Sequence, residues 1–188
     1  MIARRVLLLL LPTSVARADD AALERQMRQL AAVTQRSSRF TEERVIPELD
    51  VPLPNSGTLR WIAPNRLEKH TNWPIDERLT VEGNRLTYER ADRGVRRDFA
   101  LAEQPEMQAL TEAIRATLAG DLPALRRHYD VAFSASDAGT WRLVLTPRAW
   151  RVLGAVQRIV VTGQGAELRG VDTEGQGGVS RMRIEPGS

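Results

Sequence analysis

The sequence contains no cysteine and has two histidines, one lysine and five tyrosine or phenylalanine residues among its 188. The absence of cysteine excludes disulfides, thiolate metal sites, iron–sulfur clusters and a cysteine nucleophile. The sequence also has no H-E-x-x-H motif, EF-hand loop or G-x-S-x-G nucleophile elbow. With 42% apolar residues, the composition is that of a globular chain rather than a disordered or collagen-like one, and the length fits one domain.

The few residues that could carry catalysis lack the partners that catalysis needs. His128 and Asp130 could orient a base for a serine, but the nearby serines fall in a predicted strand and its turn, so His128 is expected on the surface. Glu42 and Glu43 are adjacent in a strand pattern, which points their carboxylates to opposite sides. We therefore predict no enzyme, no catalytic residue, no metal and no cofactor; a serine hydrolase and a paired-carboxylate glycosidase are the minor alternatives.

Residues 1–18 have the pattern of a secretory signal peptide. Arg4 and Arg5 precede the apolar run Val6–Leu11, and the segment ends in an A-x-A cleavage site. The run is too short for a membrane span, which needs about 20 apolar residues. We therefore expect cleavage after the segment, and a single domain over residues 19–188 that is located outside the cytoplasm.

The basic pI of 10.1 does not indicate nucleic-acid binding. Removing residues 1–18 takes away three arginines and no acid, which leaves 24 of the 27 basic residues against 24 acidic ones. The bases are dispersed arginines, with Lys69 as the single lysine. A neutral chain without a basic cluster has no electrostatic footprint for phosphate backbones, so we expect no nucleic-acid partner.

Helical periodicity appears after the signal segment and again in the middle of the chain. A first helix is predicted with Asp19 or Asp20 as its N-cap. Its apolar stripe consists of Leu23, Met27, Leu30 and Thr34. A second helix is predicted from Pro105 to Gly120, followed by a short helical turn over 121–127. The apolar face of the second helix consists of Met107, Leu110, Ile114 and Leu118.

Eleven short segments alternate with a period of two, which is typical of antiparallel strands. The first six are Phe40–Ile46, Gly57–Ile62, Arg66–His70, Arg78–Val81, Arg85–Glu89 and Val95–Asp98. The other five are Tyr129–Ser134, Thr140–Thr146, Val156–Thr162, Ala166–Val171 and Val179–Ile184. The segment Pro47–Pro54 is predicted as an excursion that cannot be a central strand. The layout predicts an α+β fold: one curved antiparallel sheet of about eleven strands with the helices against a single face.

The narrow apolar faces of the helices leave part of a curved sheet uncovered, so we expect a hydrophobic cavity between the helices and the sheet. The residues predicted to form its lipid-binding wall are Leu59, Trp61, Leu67, Leu79, Val81, Leu86 and Tyr88. The residues of the second helix that are predicted to cover this cavity, as the face of a lid helix, are Met107, Leu110 and Ile114. All four tryptophans lie in or beside strand segments, where their rings either pack in the core or face acyl chains: Trp61, Trp73, Trp141 and Trp150.

The order and spacing of these segments resemble LolA, the periplasmic outer-membrane lipoprotein carrier family. Phe40-Thr41-Glu42 is similar to the family's F-T-Q after its first helix. The segment Gly57–Pro64 is similar to its G-x-L-x-x-x-R-P strand, and Leu79–Tyr88 to its L-V-S-D-G-K-x-L-W-x-Y hairpin. Trp141–Pro147 resembles its F-x-L-x-P strand. The resemblance runs over most of 21–184.

The resemblance implies an incomplete β-barrel of antiparallel strands with a helical lid. It also implies a carrier in the periplasm that shields the acyl chains of a lipoprotein or another lipid in its cavity. It implies that cargo comes from an inner-membrane exporter and passes to an outer-membrane acceptor, with transient membrane contact and a monomeric carrier. The alternative is an envelope interaction or sensory module that uses the same fold to bind a partner protein.

Three departures from the family pattern affect these expectations. Ala63 stands where the family has the arginine that ties the lid to the sheet, so we expect the lid to be held differently. The excursion Pro47–Pro54 is particular to this chain, and the sequence stops at Ser188 without the extra C-terminal hairpin of the best-known carriers. The cargo is therefore left open between a lipoprotein and another lipid, such as a glycolipid or a polyketide-like acyl product.

Overall fold

The computed structural model of the protein describes residues 15–49 and 51–187. The α-helices of this part of the chain are α1 (Val15–Ala31), α2 (Pro105–Leu118), α3 (Leu122–His128) and α4 (Trp150–Leu153). The first six strands are β1 (Gln35–Val45), β2 (Leu53–Ile62), β3 (Arg66–Trp73), β4 (Glu77–Glu82), β5 (Arg85–Arg90) and β6 (Val95–Ala100). The other five are β7 (Tyr129–Ala135), β8 (Thr140–Pro147), β9 (Val156–Gln164), β10 (Glu167–Gly175) and β11 (Gly178–Ile184). Most of the predicted signal peptide, residues 1–14, lies outside the described residues, and its cleavage stays a prediction.

All eleven strands that the structure describes form one antiparallel sheet in the order β6-β5-β4-β3-β2-β1-β11-β10-β9-β8-β7. The two halves join in the middle of the sheet, where Phe40 of β1 lies opposite Ile184 of β11. The strands β6 and β7 are the two edges, and the segment that connects them contains α2 and α3. The helices therefore cross the open side of the sheet. This confirms the predicted α+β fold with its curved, unclosed antiparallel sheet.

The prediction that the proline-rich excursion excludes a central strand is wrong at its last two residues. The strand β2 begins at Leu53, and Pro54 lies opposite Glu43 of β1. The pairing of β2 with β3 starts only at Ser56, which lies opposite Trp73. Pro54 therefore has a strand neighbour on one side in the described sheet, which is the edge-like situation in which proline is tolerated.

The helix α1 starts earlier than predicted and its apolar stripe is shorter. Because α1 begins at Val15, Asp19 and Asp20 lie within the helix rather than at its N-cap. Alanine and arginine, which precede them in the sequence, are strong helix formers and extend the helix backwards. The predicted stripe residues Leu23, Met27 and Leu30 are buried. Thr34 is exposed and lies beyond the end of the helix.

The hydrophobic core has two parts of unequal size. The larger part lies between the helices and the β7–β11 half of the sheet, with fully buried side chains such as Leu125, Leu143 and Ile159. The smaller part lies on the β4–β6 half and consists of the buried side chains Val81, Leu86 and Leu101, with Leu79, Phe99 and Met107 packed against it. The helix α2 contributes side chains to both parts. The two clusters therefore meet beneath this helix.

Gly120 fixes the turn between α2 and α3 against α1. Its φ of +67° lies in the left-handed region, and its N–H donates to the carbonyl of Thr117 at 3.2 Å as α2 ends. A Cβ at this position would lie 2.4 Å from the carbonyl oxygen of Met27 and 2.8 Å from Cβ of Ala31. Glycine is therefore required both by the backbone conformation and by the close approach of α1.

We expect Gly120→Ala to destabilise the protein more than the matched change Gly139→Ala. Gly139 also has a positive φ, +75°, but open space surrounds its Cβ position. Its replacement should cost about 1–2 kcal/mol of the free energy of unfolding, from the backbone conformation alone. Replacement of Gly120 should cost about 1–3 kcal/mol more because Ala clashes with α1. Urea unfolding of both variants measures the difference, and equal losses would contradict the close packing of α1 on this turn.

Candidate functional site

An apolar cavity of about 160 Å³ lies between α2 and the sheet, where the two core clusters meet. The wall residues from β2, β3 and β4 are Leu59, Trp61, Leu67, Leu79 and Val81. The residues from α2 are Met107, Leu110, Ile114 and Leu118, with Thr111 between them. The opposite wall consists of Leu168, Val171, Met182 and Ile184 from β10 and β11. The remaining lining residues carry polar groups: Arg36, Ser38, Arg60, Glu68 and Lys69.

The cross-strand register brings the wall residues together. Trp61 lies opposite Leu67, and Leu67 lies opposite Val81. Residues directly opposite each other in antiparallel strands share a face and contact each other, so these three form a row across β2, β3 and β4. The neighbouring row consists of Leu59, Lys69 and Leu79. Strand alternation alone could not reveal these rows, because it does not specify which strands are adjacent.

Leu86 and Tyr88 lie on the same sheet face as the wall but outside the cavity lining. Leu86 lies opposite Val81 and is buried in the smaller core cluster. Tyr88 lies opposite Leu79, and its hydroxyl donates to the Glu77 carboxylate at 3.1 Å. The other predicted wall and lid residues line the cavity. A role of any of these residues in lipid binding stays a prediction.

The tryptophans do not form a common wall. Trp61 lines the cavity, whereas Trp141 is buried in the larger core cluster, where its indole N–H donates to the carbonyl of Gly165 at 2.8 Å. Trp73 is 53% exposed at the end of β3, and Trp150 is 77% exposed. Trp150 begins α4, a single helical turn that the alternation pattern does not predict. An exposed ring on such a turn faces solvent, so the placement of Trp150 beside a strand does not make it a wall residue.

The lid helix α2 is tied to the sheet by two hydrogen bonds. The Arg115 guanidinium donates to the carbonyl of Gly83, in the turn between β4 and β5, at 2.7 Å. The Tyr129 hydroxyl, at the start of β7, donates to the carbonyl of Ala109 at 2.6 Å. Burial raises the pKa of Tyr129, which keeps this hydroxyl protonated as a donor. Ala63 packs against the larger core cluster, and the arginine that binds the lid helix to the sheet is Arg115 of the helix itself.

An ion pair lies beside the cavity. The Lys69 ammonium contacts the Glu42 carboxylate and lies 4.9 Å from the centre of the Phe40 ring. The Glu42 side chain is only 7% exposed, and it also accepts a hydrogen bond from Ser180. Burial by itself would raise the pKa of Glu42, but the charge of Lys69 and these hydrogen bonds outweigh burial and hold the pKa below its ordinary value. Glu43 is exposed, as expected for adjacent carboxylates on opposite faces.

The other candidates for chemistry are dispersed over the surface. His128 is exposed at the end of α3, and the Asp130 carboxylate accepts a hydrogen bond from Arg148 at 2.8 Å. Within residues 15–49 and 51–187, no group of three His, Asp or Glu side chains is placed to hold a metal ion. No helix in that part of the chain is long and apolar enough to cross a membrane.

The family model described as outer membrane lipoprotein carrier protein LolA-like matches residues 13–185. The chain therefore belongs to this LolA-like family, as a divergent member. No curated protein sequence matches it.

Solved structures with a similar fold share little sequence with the chain. A LolA superfamily protein from Nitrosomonas europaea is 8% identical with a TM-score of 0.44, over 88% of this chain and 90% of that one. A DUF1329 family protein from Desulfovibrio piger is 9% identical with a TM-score of 0.49, over 92% of each chain. The MucB chain of the Pseudomonas aeruginosa MucA/MucB complex is similar at 13% identity and a TM-score of 0.43, over 87% of this chain and 55% of that one.

We expect Lys69→Met to reverse the pH dependence of stability that Glu42 contributes. With Lys69 present, the lowered pKa of Glu42 contributes stability above the ordinary carboxyl pKa, and this is lost as the pH falls through the lowered value. Without Lys69, burial dominates and raises the pKa of Glu42. The folded state should then gain stability as the pH falls from 7 towards 5.

Urea unfolding at several pH values measures this reversal. At pH 7, Lys69→Met should lose about 3 kcal/mol, because it leaves a buried carboxylate without its counter-charge. The control is the double variant Lys69→Met with Glu42→Gln, which removes the carboxylate and should show neither the reversal nor most of the loss. A loss of the same size at pH 5 and pH 7 in the single variant would contradict this account.

We expect Arg115→Met to loosen the lid helix. A hydrogen bond from a charged donor stabilises by about 1.5 kcal/mol, so the amides of α2 should exchange with solvent about tenfold faster. Hydrogen-exchange mass spectrometry measures this, with β8 and β9 as unaffected references. The control is Arg127→Met on the exposed side of α3. Equal exchange of α2 in both variants would show that the lid is held without Arg115.

Proposed function

We propose that the protein binds an acyl chain in the cavity beneath α2 and carries the acylated cargo across the periplasm between the two membranes. The observation that supports this is a cavity with aliphatic walls left unfilled between a helix and the sheet. Membership of a family described as lipoprotein carriers supports the same function. The predicted signal peptide over residues 1–18 agrees with export.

The size of the cavity limits the ligand that it can hold. An engineered dry cavity of about 150 Å³ binds one benzene molecule, so this one has room for roughly six carbon atoms. Burial of each CH₂ stabilises by about 0.8 kcal/mol, or about 5 kcal/mol for six. That is close to the lower bound of about 4 kcal/mol for the cost of association. A longer acyl chain therefore binds well only if α2 moves away from the sheet or if the chain extends beyond the cavity.

The attachment of α2 is suited to such a movement. Its polar ties to the sheet are the hydrogen bonds of Arg115 and Tyr129. Part of its apolar face packs in the core, and the other part, including Met107, Leu110 and Ile114, lines the cavity. Contacts between aliphatic groups are non-directional, so they bind a chain without fixing its position. A carrier needs both properties, because the cargo has to enter from one membrane and leave at another. Lid movement then controls access.

In this proposal the donor, the acceptor and the oligomeric state of the carrier are those that the family resemblance implies. The cargo would come from an inner-membrane exporter and go to an outer-membrane acceptor, each contacted transiently by a monomeric carrier. We propose no catalytic step, because binding and release of an acyl chain require none.

We expect Leu59→Asp to abolish lipid binding while the protein stays folded. Leu59 lines the cavity but is only half-buried, so a carboxylate there reaches water in the empty protein. It loses that hydration when an acyl chain fills the cavity, at a cost of several kcal/mol. The measurement is displacement of a neutral fluorescent probe, N-phenyl-1-naphthylamine, by single-chain lipids, and affinity should fall at least about 30-fold.

The matched control is Thr58→Asp, which places the same carboxylate one residue earlier, on the exposed face of β2. It should bind the probe and lipids as the unchanged protein does. Circular dichroism melting establishes that both variants are folded. Unchanged binding in folded Leu59→Asp would remove this cavity as the lipid site.

A second candidate function is partner binding by an envelope interaction or sensory module. The observation that favours it is a group of exposed apolar side chains at one end of β1, β2 and β3: Leu49, Val51, Leu53, Trp73 and Ile75. Such groupings at a surface are typical of protein or membrane contact. A carrier also needs a docking surface, so this patch by itself does not separate the two functions. Displacement of the fluorescent probe by acyl ligands separates them. Failure of every acyl ligand to displace the probe, with the protein folded, would favour the interaction module.

A further inference from the structure

Three side chains on the cavity wall hold polar atoms that lack a hydrogen-bond partner in the part of the chain that the structure describes. These atoms are Nε and Nη1 of Arg36, Oγ of Ser38 and Nε1 of Trp61, and all three residues line the cavity. The Arg36 side chain is 9% exposed, and Ser38 and Trp61 are buried. An unsatisfied buried donor is destabilising, and more so when it is charged. A bound acceptor would remove this cost.

The three side chains form one site rather than three separate defects. Arg36 of β1 lies directly opposite Trp61 of β2. Ser38 is two residues further along β1, on the same face, and lies opposite Leu59. The donors therefore occupy adjacent positions at one corner of the cavity, which we call the donor corner (Arg36, Ser38 and Trp61). The wall that continues from it across β3 and β4 is formed by apolar residues such as Leu67.

The donor corner carries a positive charge with little local compensation. The Nη2 atom of Arg36 donates to the carbonyl of Ala166 at 2.5 Å. The Glu167 carboxylate lies 3.9 Å from the same atom and is 37% exposed, so solvent screens much of its effect. Burial lowers the pKa of Arg36 and Glu167 raises it, but a guanidinium stays protonated in proteins.

The other charged groups around the cavity are either paired with an opposite charge or exposed to solvent. Lys69 is paired with the Glu42 carboxylate. The Glu68 carboxylate is bound to the Arg66 guanidinium at 2.6 Å. Arg60 is exposed and alternates with the wall residues Leu59 and Trp61 along β2. An anion that enters the cavity therefore meets the charge of Arg36 without a nearby unpaired carboxylate.

We propose that the donor corner binds the oxyanion of a single-chain acyl ligand, a carboxylate or a phosphate, whose apolar part lies along the wall formed by β3, β4 and α2. Guanidinium and indole nitrogens donate and do not accept, so the group that satisfies them is an acceptor. A cavity of about 160 Å³ favours one chain over several. This inference rests on the proposed function, since it requires an acyl chain in the cavity.

The test compares anionic and neutral ligands that carry the same chain. Myristate, methyl myristate and a single-chain lysophosphatidic acid each compete with N-phenyl-1-naphthylamine for the purified protein at pH 8. We expect one or both anions to bind about 10- to 100-fold more tightly than the ester, which is the range for hydrogen bonds to charged groups. In Arg36→Met this preference should disappear, while affinity for the ester stays the same. Preference for myristate or for the lysophosphatidic acid identifies a carboxylate or a phosphate as the oxyanion.

The matched control is Arg39→Met, which removes one arginine from the same strand. Arg39 is 80% exposed and bound to Glu185 on the outer face, so this variant should keep the preference. If Arg36→Met does not fold, Ser38→Ala combined with Trp61→Phe removes the two neutral donors. It should weaken binding of the preferred anion about 3- to 10-fold, and an unchanged affinity would overturn the proposal.

The outcomes separate this inference from the proposed function. If no ligand displaces the probe, the carrier function fails together with the donor corner. If the ester and both anions bind the unchanged protein equally well, or if Arg36→Met keeps the preference, the carrier function stands and the donor corner is overturned. Loss of the preference in Arg39→Met as well would also overturn it, since a non-specific charge effect would then be responsible.

Discussion

The structure depends on a mismatch between the concave sheet and the helices that cover it. An antiparallel sheet of eleven strands with its edges apart offers more apolar surface than the narrow face of α2 can cover. The side chains around the resulting cavity of about 160 Å³ lack van der Waals contacts that a filled core would provide. At roughly 24 cal/mol per Å³, this loss is about 4 kcal/mol. Most domains have a total stability of only about 5–15 kcal/mol, so a cavity of this size is a large destabilising contribution.

The two halves of the sheet carry unequal numbers of buried apolar side chains. The β7–β11 half is packed against α1, α2 and α3 by a large cluster that contains most of the fully buried side chains. The β4–β6 half has three buried side chains in its own cluster. Segments with few buried apolar contacts open at lower free energy than the rest of a protein. Opening of the lid is therefore expected on the β4–β6 side, where the Arg115 bond to Gly83 is its polar tie.

Most of the fold could be predicted from the sequence because its elements are local. Period-two alternation and turn residues locate the strands to within a few residues, and Pro105 and Gly120 mark the ends of α2 and its turn. Three features could not be predicted from these local patterns. Pro54 is accommodated because β3 ends beside it, which only the register shows. The start of α1 depends on helix formers within the predicted signal segment. Trp150 belongs to a single helical turn too short to leave a periodic signal.

The candidate site was only half accessible to sequence patterns, for a related reason. Hydrophobic residues of one strand can be assigned to a common face from the sequence, which places Leu59 and Trp61 together. The sequence does not specify which strand lies beside them. Gln35–Arg39 is a polar stretch, and nothing in its composition indicates that Arg36 and Ser38 point inwards. The sequence signal that could have found them is Phe40, because period-two alternation places Ser38 and Arg36 on the same face of the strand as this apolar residue.

The combination of a greasy wall and a donor corner bears on how a carrier could handle its cargo. Aliphatic contacts supply affinity that grows with chain length but do not distinguish one end of a chain from the other. A buried guanidinium with two nitrogens that lack a hydrogen-bond partner makes that distinction, because only a chain that ends in an acceptor satisfies them. The donor corner lies on β1 and β2, near the middle of the sheet. The lid makes few buried apolar contacts on the β4–β6 side. If the oxyanion is fixed at the donor corner, the tail lies towards the side that opens, so the chain leaves tail first and its charged end is released last.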